Sequence, residues 1–203
     1  MDAGTRRATA KRQQIVDAAR LLFLRDGFAA SSMDAVVAEA SVSKQTLYRY
    51  FPSKTHLLTA VLTSELELAG MFAPPPPPRS PAELRAQLTG IARSVTDEML
   101  SPDRVALIRL IFGEAFRIPE LREKIRAALP DQFIGLIRHV LEGASDAGLI
   151  HIERPDLIAR LFVGSIFSFI ALDGFLRVDP LPPPATADLE HIVDAFLRAV
   201  EPR

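Results

Sequence analysis

Between Gly27 and Ser43 the chain must end one helix, build a second and enter a third within seventeen residues, so only a compact helical corner fits there. From Thr9 onward Ile15, Ala18, Ala19, Leu22 and Phe23 recur at the three- and four-residue spacing of an amphipathic helix. Gly27 ends that helix near Asp26, because glycine tolerates the positive φ of a C-terminal cap. Ser31 and Ser32 offer the N-cap of a short second helix reaching Ala40, with Met33, Val36 and Val37 as apolar contacts and Asp34 favourably placed in its first turn. Ser41-Val42 then makes a tight turn into a helix capped by Ser43. Two short helices joined by such a turn and braced by a longer first one form a helix-turn-helix arrangement.

The third helix carries the most concentrated polar chemistry. Residues 43 to 51, Ser-Lys-Gln-Thr-Leu-Tyr-Arg-Tyr-Phe, hold both tyrosines of the protein. Leu47 and Phe51 fall at i and i+4 on one apolar face, which leaves Lys44, Gln45, Thr46, Tyr48, Arg49 and Tyr50 around the rest of the circumference. Lys44 lies in the first turn, where the helix dipole disfavours a cation by a few tenths of a kcal/mol; an arriving anion would remove that penalty. Lys, Gln, Thr and Arg hydrogen-bond phosphates and base edges, so this helix suits insertion into a DNA major groove. The nine residues alone would equally suit a solvated amphipathic helix. The two helices before them favour groove reading.

The string Ile15, Ala18, Phe23, Gly27, Phe28, Ser32, Met33, Val37, Ala38, Ala40, Val42, Ser43, Lys44, Thr46, Leu47, Tyr48, Tyr50, Phe51, Pro52, Ser53, Lys54, Leu57 resembles the DNA-binding domain of the TetR family of transcriptional regulators. Ser41 departs from it, standing where the family has glycine in the turn, and should carry slight strain. The resemblance implies base or phosphate contact from Lys44, Gln45, Thr46, Tyr48, Arg49 and Tyr50, and backbone contact from Ser32 and Lys54, with Leu47 and Phe51 as core.

Composition agrees with a soluble cytoplasmic regulator. A chain of 203 residues with 48% hydrophobic content can bury about 70% of its unfolded surface, enough for one or two modest domains. The absence of cysteine excludes a disulfide framework and thiolate metal sites. Arg6, Arg7, Lys11 and Arg12 lead into an amphipathic segment, unlike a signal peptide. The longest apolar run, Leu161 to Leu172, is bounded by Arg160 and Asp173; it falls short of the ~20 residues that span a bilayer. Residues 1–54 carry nine Lys or Arg against five Asp or Glu, a net +4, while residues 55–203 carry fifteen against twenty, a net −5. The basic segment is the expected nucleic-acid domain, and the acidic remainder does something else.

That remainder reads as helices punctuated by proline. Ser53 caps a helix with Leu57, Leu58, Val61, Leu62, Leu66 and Leu68 that ends before the five prolines at 74–78, a stiff connector without backbone donors. Such a run serves more often as a spacer between helices than as a ligand for a peptide module. Ser80-Pro81-Ala82-Glu83 is a capping-box start for a helix to about Leu100. Ser101-Pro102 opens the next, to Phe116, and Pro119 another, kinked at Pro130 and running to the glycines at 143 and 148. Leu149 to Glu153 alternates like a strand but has no partner, so it is expected to be an extended connection. Pro155 starts a long helix to about Arg177, and residues 186–200 form the last. The fold class is therefore all-α: a three-helix N-terminal domain over 1–54 and a helical bundle over 55–203, about nine helices in all.

Leu107 through Gly174, with Gly113-Glu114-Ala115, Pro119-Glu120-Leu121, Gly148-Leu149-Ile150 and Pro155-Asp156-Leu157, is similar to the AefR-like branch of TetR C-terminal domains. This second resemblance implies a bundle around a ligand cavity and a homodimer formed by the last two helices of each subunit. The residues give separate grounds for both. Nine of twelve phenylalanines lie beyond residue 54, and Phe72, Met99, Phe116, Phe133, Ile137 and Phe169 are the candidates for lining a pocket for a small, largely apolar effector, although an aromatic at helical spacing is usually plain core. The helix from Pro155 is apolar almost all round over 161–172, with Gly164, Ser165 and Ser168 as small positions, and an apolar helix follows with Leu189, Ile192, Val193, Phe196 and Leu197. Phe167, Ser168 and Phe196 are thus the candidate dimer contacts, in an isologous pair.

Catalysis finds no candidate. His56, His139, His151 and His191 form no metal-binding spacing, the glycines make no phosphate-cradling loop, and no nucleophile elbow occurs. No metal or cofactor is expected. The expected partners are double-stranded DNA carrying a pseudo-palindromic operator, a small-molecule effector and a second copy of the chain; no membrane is expected. The alternative is a DNA-binding regulator without an effector, its helical domain serving dimerisation or a protein partner.

Overall fold

The computed structural model describes residues 3–69, 74–115, 117–129 and 133–200, and among these there are helices, turns and irregular connections but no strand. The helices are α1 (Ala3–Asp26), α2 (Met33–Glu39), α3 (Lys44–Tyr50), α4 (Lys54–Ala69), α5 (Pro81–Met99), α6 (Pro102–Ala115), α7 (Pro119–Leu129), α8 (Gly135–Asp146), α9 (Pro155–Phe169) and α10 (Thr186–Val200). A π-helical segment, Ile170–Phe175, continues α9. Of the stretch expected as one helix kinked at Pro130, the described residues hold α7 and α8, and the expected kink itself lies outside the described residues.

Local chemistry sets most of the helix starts. The Oγ atoms of Ser32, Ser43 and Ser80 accept hydrogen bonds from the backbone N–H groups of Ala35, Thr46 and Glu83 at 3.0, 3.1 and 3.2 Å, satisfying donors that a helix cannot satisfy itself. Pro81, Pro102, Pro119 and Pro155 are each the first residue of a helix, where the missing N–H costs nothing. α1 starts at Ala3, before the apolar periodicity begins at Ile15.

The backbone separates into two compact units, Met1–Leu68 with Arg109–Ile125, and Ala69–Ile108 with Arg126–Arg203. The first unit therefore includes most of α4, beyond the 54/55 division expected from charge. Burial gives the reason: Leu57, Leu58, Val61 and Leu62 are at most 1% exposed, like Ile15, Ala19, Val36 and Leu47. α1 packs on α2, and α2 on α3. Gly27 has φ +81°, as a helix-ending glycine should. Ser31 is buried and its hydroxyl donates to the carbonyl oxygens of Gly27 and Leu22, so Ser32 alone caps α2.

Ser41 has φ +48°, in the left-handed region that favours glycine. Its strain is local to the turn that aims α3. Ser41→Val is expected to lower the stability of the first unit by about 1–3 kcal/mol, whereas Ser41→Gly holds or raises it by up to about 1 kcal/mol. Urea unfolding followed by circular dichroism decides this, and a valine variant as stable as wild type would show that the turn relaxes out of the left-handed region.

In the second unit α8 packs on α9 and α5 on α10, around a core that includes Leu88, Ala92, Val140, Leu141, Ala159, Phe162, Leu189 and Val193. Arg85 ties α5 to α10, its Nη2 donating to Asp194 at 3.0 Å and lying 3.6 Å from Glu190. The proline connector is packed, consistent with a spacer: Pro76 accepts a hydrogen bond from Gln87 at 3.0 Å, and a Cβ at Gly143 would come within 3.1 Å of Pro77. Leu149 to Glu153 is neither helix nor strand, and the His151 N–H donates to the Val200 carbonyl at 3.1 Å, closing the end of α10.

α9 and its π continuation form 21 helical residues of mean hydropathy 1.7, long and apolar enough by composition to cross a membrane. The apolar run read from the sequence is shorter than the helix that holds it. Ala159, Phe162, Ile166 and Ile170 on this helix enter the core of the second unit, and the helix includes Arg160 and Asp173. It is a bundle helix with one face covered by its own unit.

Candidate nucleic-acid interface

α3 has seven residues, fewer than the ~12 an isolated helix needs to persist in water. Its anchors hold it: Leu47 is fully buried and Phe51, its C-terminal cap, is 3% exposed. Ser43 and Thr46 close its N-terminus through the cap and a hydroxyl contact of 2.8 Å. The opposite surface is open. Lys44, Gln45, Tyr48 and Arg49 are exposed, Thr46 and Tyr50 half-buried. The Arg49 guanidinium lies 5.2 Å from the Tyr50 ring centroid, which limits its range of directions. A rigid seven-residue ridge of donors, with phenols beside them, results.

Lys44 is not left with the dipole penalty of its first-turn position. Asp34 on α2 sits 2.8 Å from its ammonium, and that hydrogen bond raises the Lys44 pKa above the ordinary lysine value. Both side chains are exposed, so the pair contributes little stability but straps α2 to the start of α3. An ammonium has three N–H donors, so Lys44 can keep Asp34 and still meet a phosphate. Ser32 is exposed beside this strap while its hydroxyl caps α2.

Lys54 is placed differently from the other cations. Its ammonium donates to the Ala29 carbonyl at 3.1 Å and lies 4.6 Å from the Phe28 ring centroid, and burial lowers its pKa below the ordinary value. It therefore clips the loop after α1 to the start of α4. Three further residues shape the site and escaped sequence reasoning: Asp34 as the partner of Lys44, Gln14, whose amide donates to the Ala40 carbonyl at 2.7 Å, and Arg12, whose guanidinium lies 5.3 Å from the Phe51 centroid. Their partners lie 10 to 39 residues away, where local periodicity carries no signal.

Of the residues proposed to line an effector site, Met99 and Ile137 belong to one core cluster of the second unit, Phe133 packs against it, and Phe169 is half-buried. Phe72 and Phe116 lie outside the described residues. Of the proposed dimer contacts, Phe167 is 44% exposed and Ser168 is exposed. Phe196 requires a correction. It is 7% exposed, its ring 5.0 Å from that of Phe162, so it is core and not open surface. α10 turns Leu189, Val193 and Phe196 inward onto its own unit. No group of three or more His, Cys, Asp or Glu that could hold a metal occurs among the described residues.

Two family models match the chain: bacterial regulatory proteins of the tetR family over residues 15–61, and the AefR-like transcriptional repressor C-terminal domain over residues 86–201. The chain is 31% identical over 174 residues, 85% of its own length and 79% of the relative's, to an uncharacterised HTH-type transcriptional regulator of Mycobacterium tuberculosis. It is 40% identical over 91 residues to the repressor KstR of Rhodococcus jostii, a match spanning 44% of this chain and 43% of that protein. Among solved structures, the flavonoid-responsive regulator FrrA is 31% identical and superposes with a TM-score of 0.74 over 96% of this chain and 99% of FrrA. A TetR regulator from Agrobacterium tumefaciens shares the fold at 22% identity, with a TM-score of 0.79 over 96% of each chain. The capped turn, the anchored α3 and these matches agree: the chain belongs to the TetR family of helix-turn-helix transcriptional regulators and is a DNA-binding protein, not an enzyme.

Proposed function

We infer that the chain is a homodimeric repressor that leaves its operator when a small, largely apolar compound binds the second unit. The observation that carries the DNA half is the exposed surface of α3, with Gln45, Tyr48 and Arg49 projecting from a helix fixed by Leu47 and Phe51. In this reading Lys44, Gln45, Thr46, Tyr48, Arg49 and Tyr50 meet bases or phosphates in the major groove, and Ser32 and Lys54 meet the backbone. A symmetric dimer then prefers a pseudo-palindromic duplex with half-site centres about 34–36 Å apart or a multiple of that. The effector half is supported by the likeness to FrrA, described as flavonoid-responsive. The aromatic and sulfur-bearing side chains around Met99, Ile137, Phe133 and Phe169 suit a compound of that apolar class. Ile137 is only 2% exposed, which favours the second reading, a tightly packed domain that serves dimerisation without an effector.

The test uses a duplex selected by the protein from a random pool, with its scrambled counterpart. Arg49→Ala and Tyr48→Ala are expected to weaken the selected duplex by about 1–3 kcal/mol and leave the scrambled one nearly unchanged. Equal wild-type affinity for both duplexes would remove the base-reading role of α3. Calorimetry with a flavonoid, with and without the selected duplex, addresses the second unit. Reciprocal weakening of about 5- to 150-fold is expected. No binding, or binding blind to DNA, favours the effector-free reading.

A further inference from the structure

α1 runs from Ala3, yet its first buried side chain is Ile15. The ten residues from Thr5 to Gln14 extend about 15 Å at 1.5 Å per residue without entering the core. They contain Arg6, Arg7, Lys11 and Arg12 and no acidic residue. Arg7 and Lys11, at i and i+4, repel each other, and no buried face offsets that repulsion. A helical stretch of this charge is a poor structural element and a good surface for a polyanion.

Two contacts fix where this surface lies relative to α3. Lys11 donates to the Gln14 side chain at 3.0 Å, and Gln14 donates to Ala40, the residue that closes α2 before the turn. Arg12 stacks over Phe51, which closes α3. The cationic half of α1 is thus joined, within one compact unit, to both the entry and the exit of the groove-reading helix. The geometry points to a second DNA-contacting element: Arg6, Arg7 and Lys11 take phosphates flanking the groove that α3 reads, extending the footprint of each subunit without reading sequence. This rests on the proposed role of α3, with which the charged surface is continuous. Each phosphate so neutralised steepens the salt dependence of binding.

The experiment replaces Arg6, Arg7 and Lys11 by glutamine together in the full chain. No buried side chain is touched, and circular dichroism checks that helicity is kept. Affinity is measured across a salt series on the selected duplex at its minimal length, on the same duplex extended by about ten base pairs, one helical turn, on each side, and on scrambled counterparts of both. The expected result is a loss of about 10- to 100-fold confined to the extended duplexes, equal for selected and scrambled sequences. The logarithmic salt slope should fall by roughly 0.9 for each phosphate no longer neutralised. An unchanged slope on extended DNA, or the same loss on minimal and extended duplexes, overturns the inference. In either case a retained preference for the selected sequence leaves the role of α3 standing, whereas a wild type without that preference fails the α3 reading alone.

Discussion

Leu47→Ala should abolish specific DNA binding although Leu47 itself is buried inside the first unit. Its side chain is fully buried, so truncation costs the first unit about 2–5 kcal/mol through the apolar burial removed and the cavity left behind. The loss falls on the element least able to bear it. α3 is too short to be helical without its tertiary anchors, so losing Leu47 removes the ridge that carries Gln45, Tyr48 and Arg49. Tyr48→Ala is the counterpart: that side chain is 41% exposed, so stability should change by less than about 0.5 kcal/mol while the preference for the selected duplex falls. Urea unfolding and fluorescence anisotropy on both variants separate anchoring from reading. A Leu47→Ala protein that keeps wild-type stability and affinity would show that α3 is held by something other than its buried face.

The features legible in the sequence are those whose cause is local. Ser32, Ser43 and Ser80 cap their helices as spacing predicts, and Gly27 adopts the positive φ its position demands. The residue that stands in place of the family's glycine, Ser41, is strained in the expected sense. Features that depend on partners distant in sequence were not legible. The apolar pattern reported the burial of α1 and not its extent, because Thr5 to Gln14 is helical without a buried side. Lys54 was legible as a cation beside α3, but its clip onto Ala29 and Phe28 follows from the path of the loop. Periodicity likewise showed that α10 has an apolar face without showing what covers it; Phe196 meets Phe162 of its own unit.

That distinction decides which substitutions divide the proposed dimer. On α9 the exposed positions Leu157, Leu161, Gly164 and Ser168 recur at i, i+4, i+7 and i+11, one stripe along the helix, with Phe167 beside it and Leu172 and Leu176 beyond, 62% and 65% exposed. Large apolar side chains at the ends and small ones in the middle allow a second copy of the same helix to approach closely, and an isologous pair needs a self-complementary face of this kind. Leu161→Glu and Phe167→Glu should each yield folded monomers, since a carboxylate buried unpaired at the interface costs several kcal/mol while the unit's own core is untouched. Phe196→Glu should instead unfold the second unit, because the charge would enter the core beside Phe162. Monomers lose the linkage between two half-sites, so affinity for the selected pseudo-palindrome should fall by about 10²–10⁴-fold, with single half-site binding far less affected. Light scattering, circular dichroism and anisotropy measure mass, fold and affinity on the same samples. Folded dimers from both α9 variants would place the interface on another face, and a folded Phe196→Glu dimer would reverse the assignment of that residue to the core.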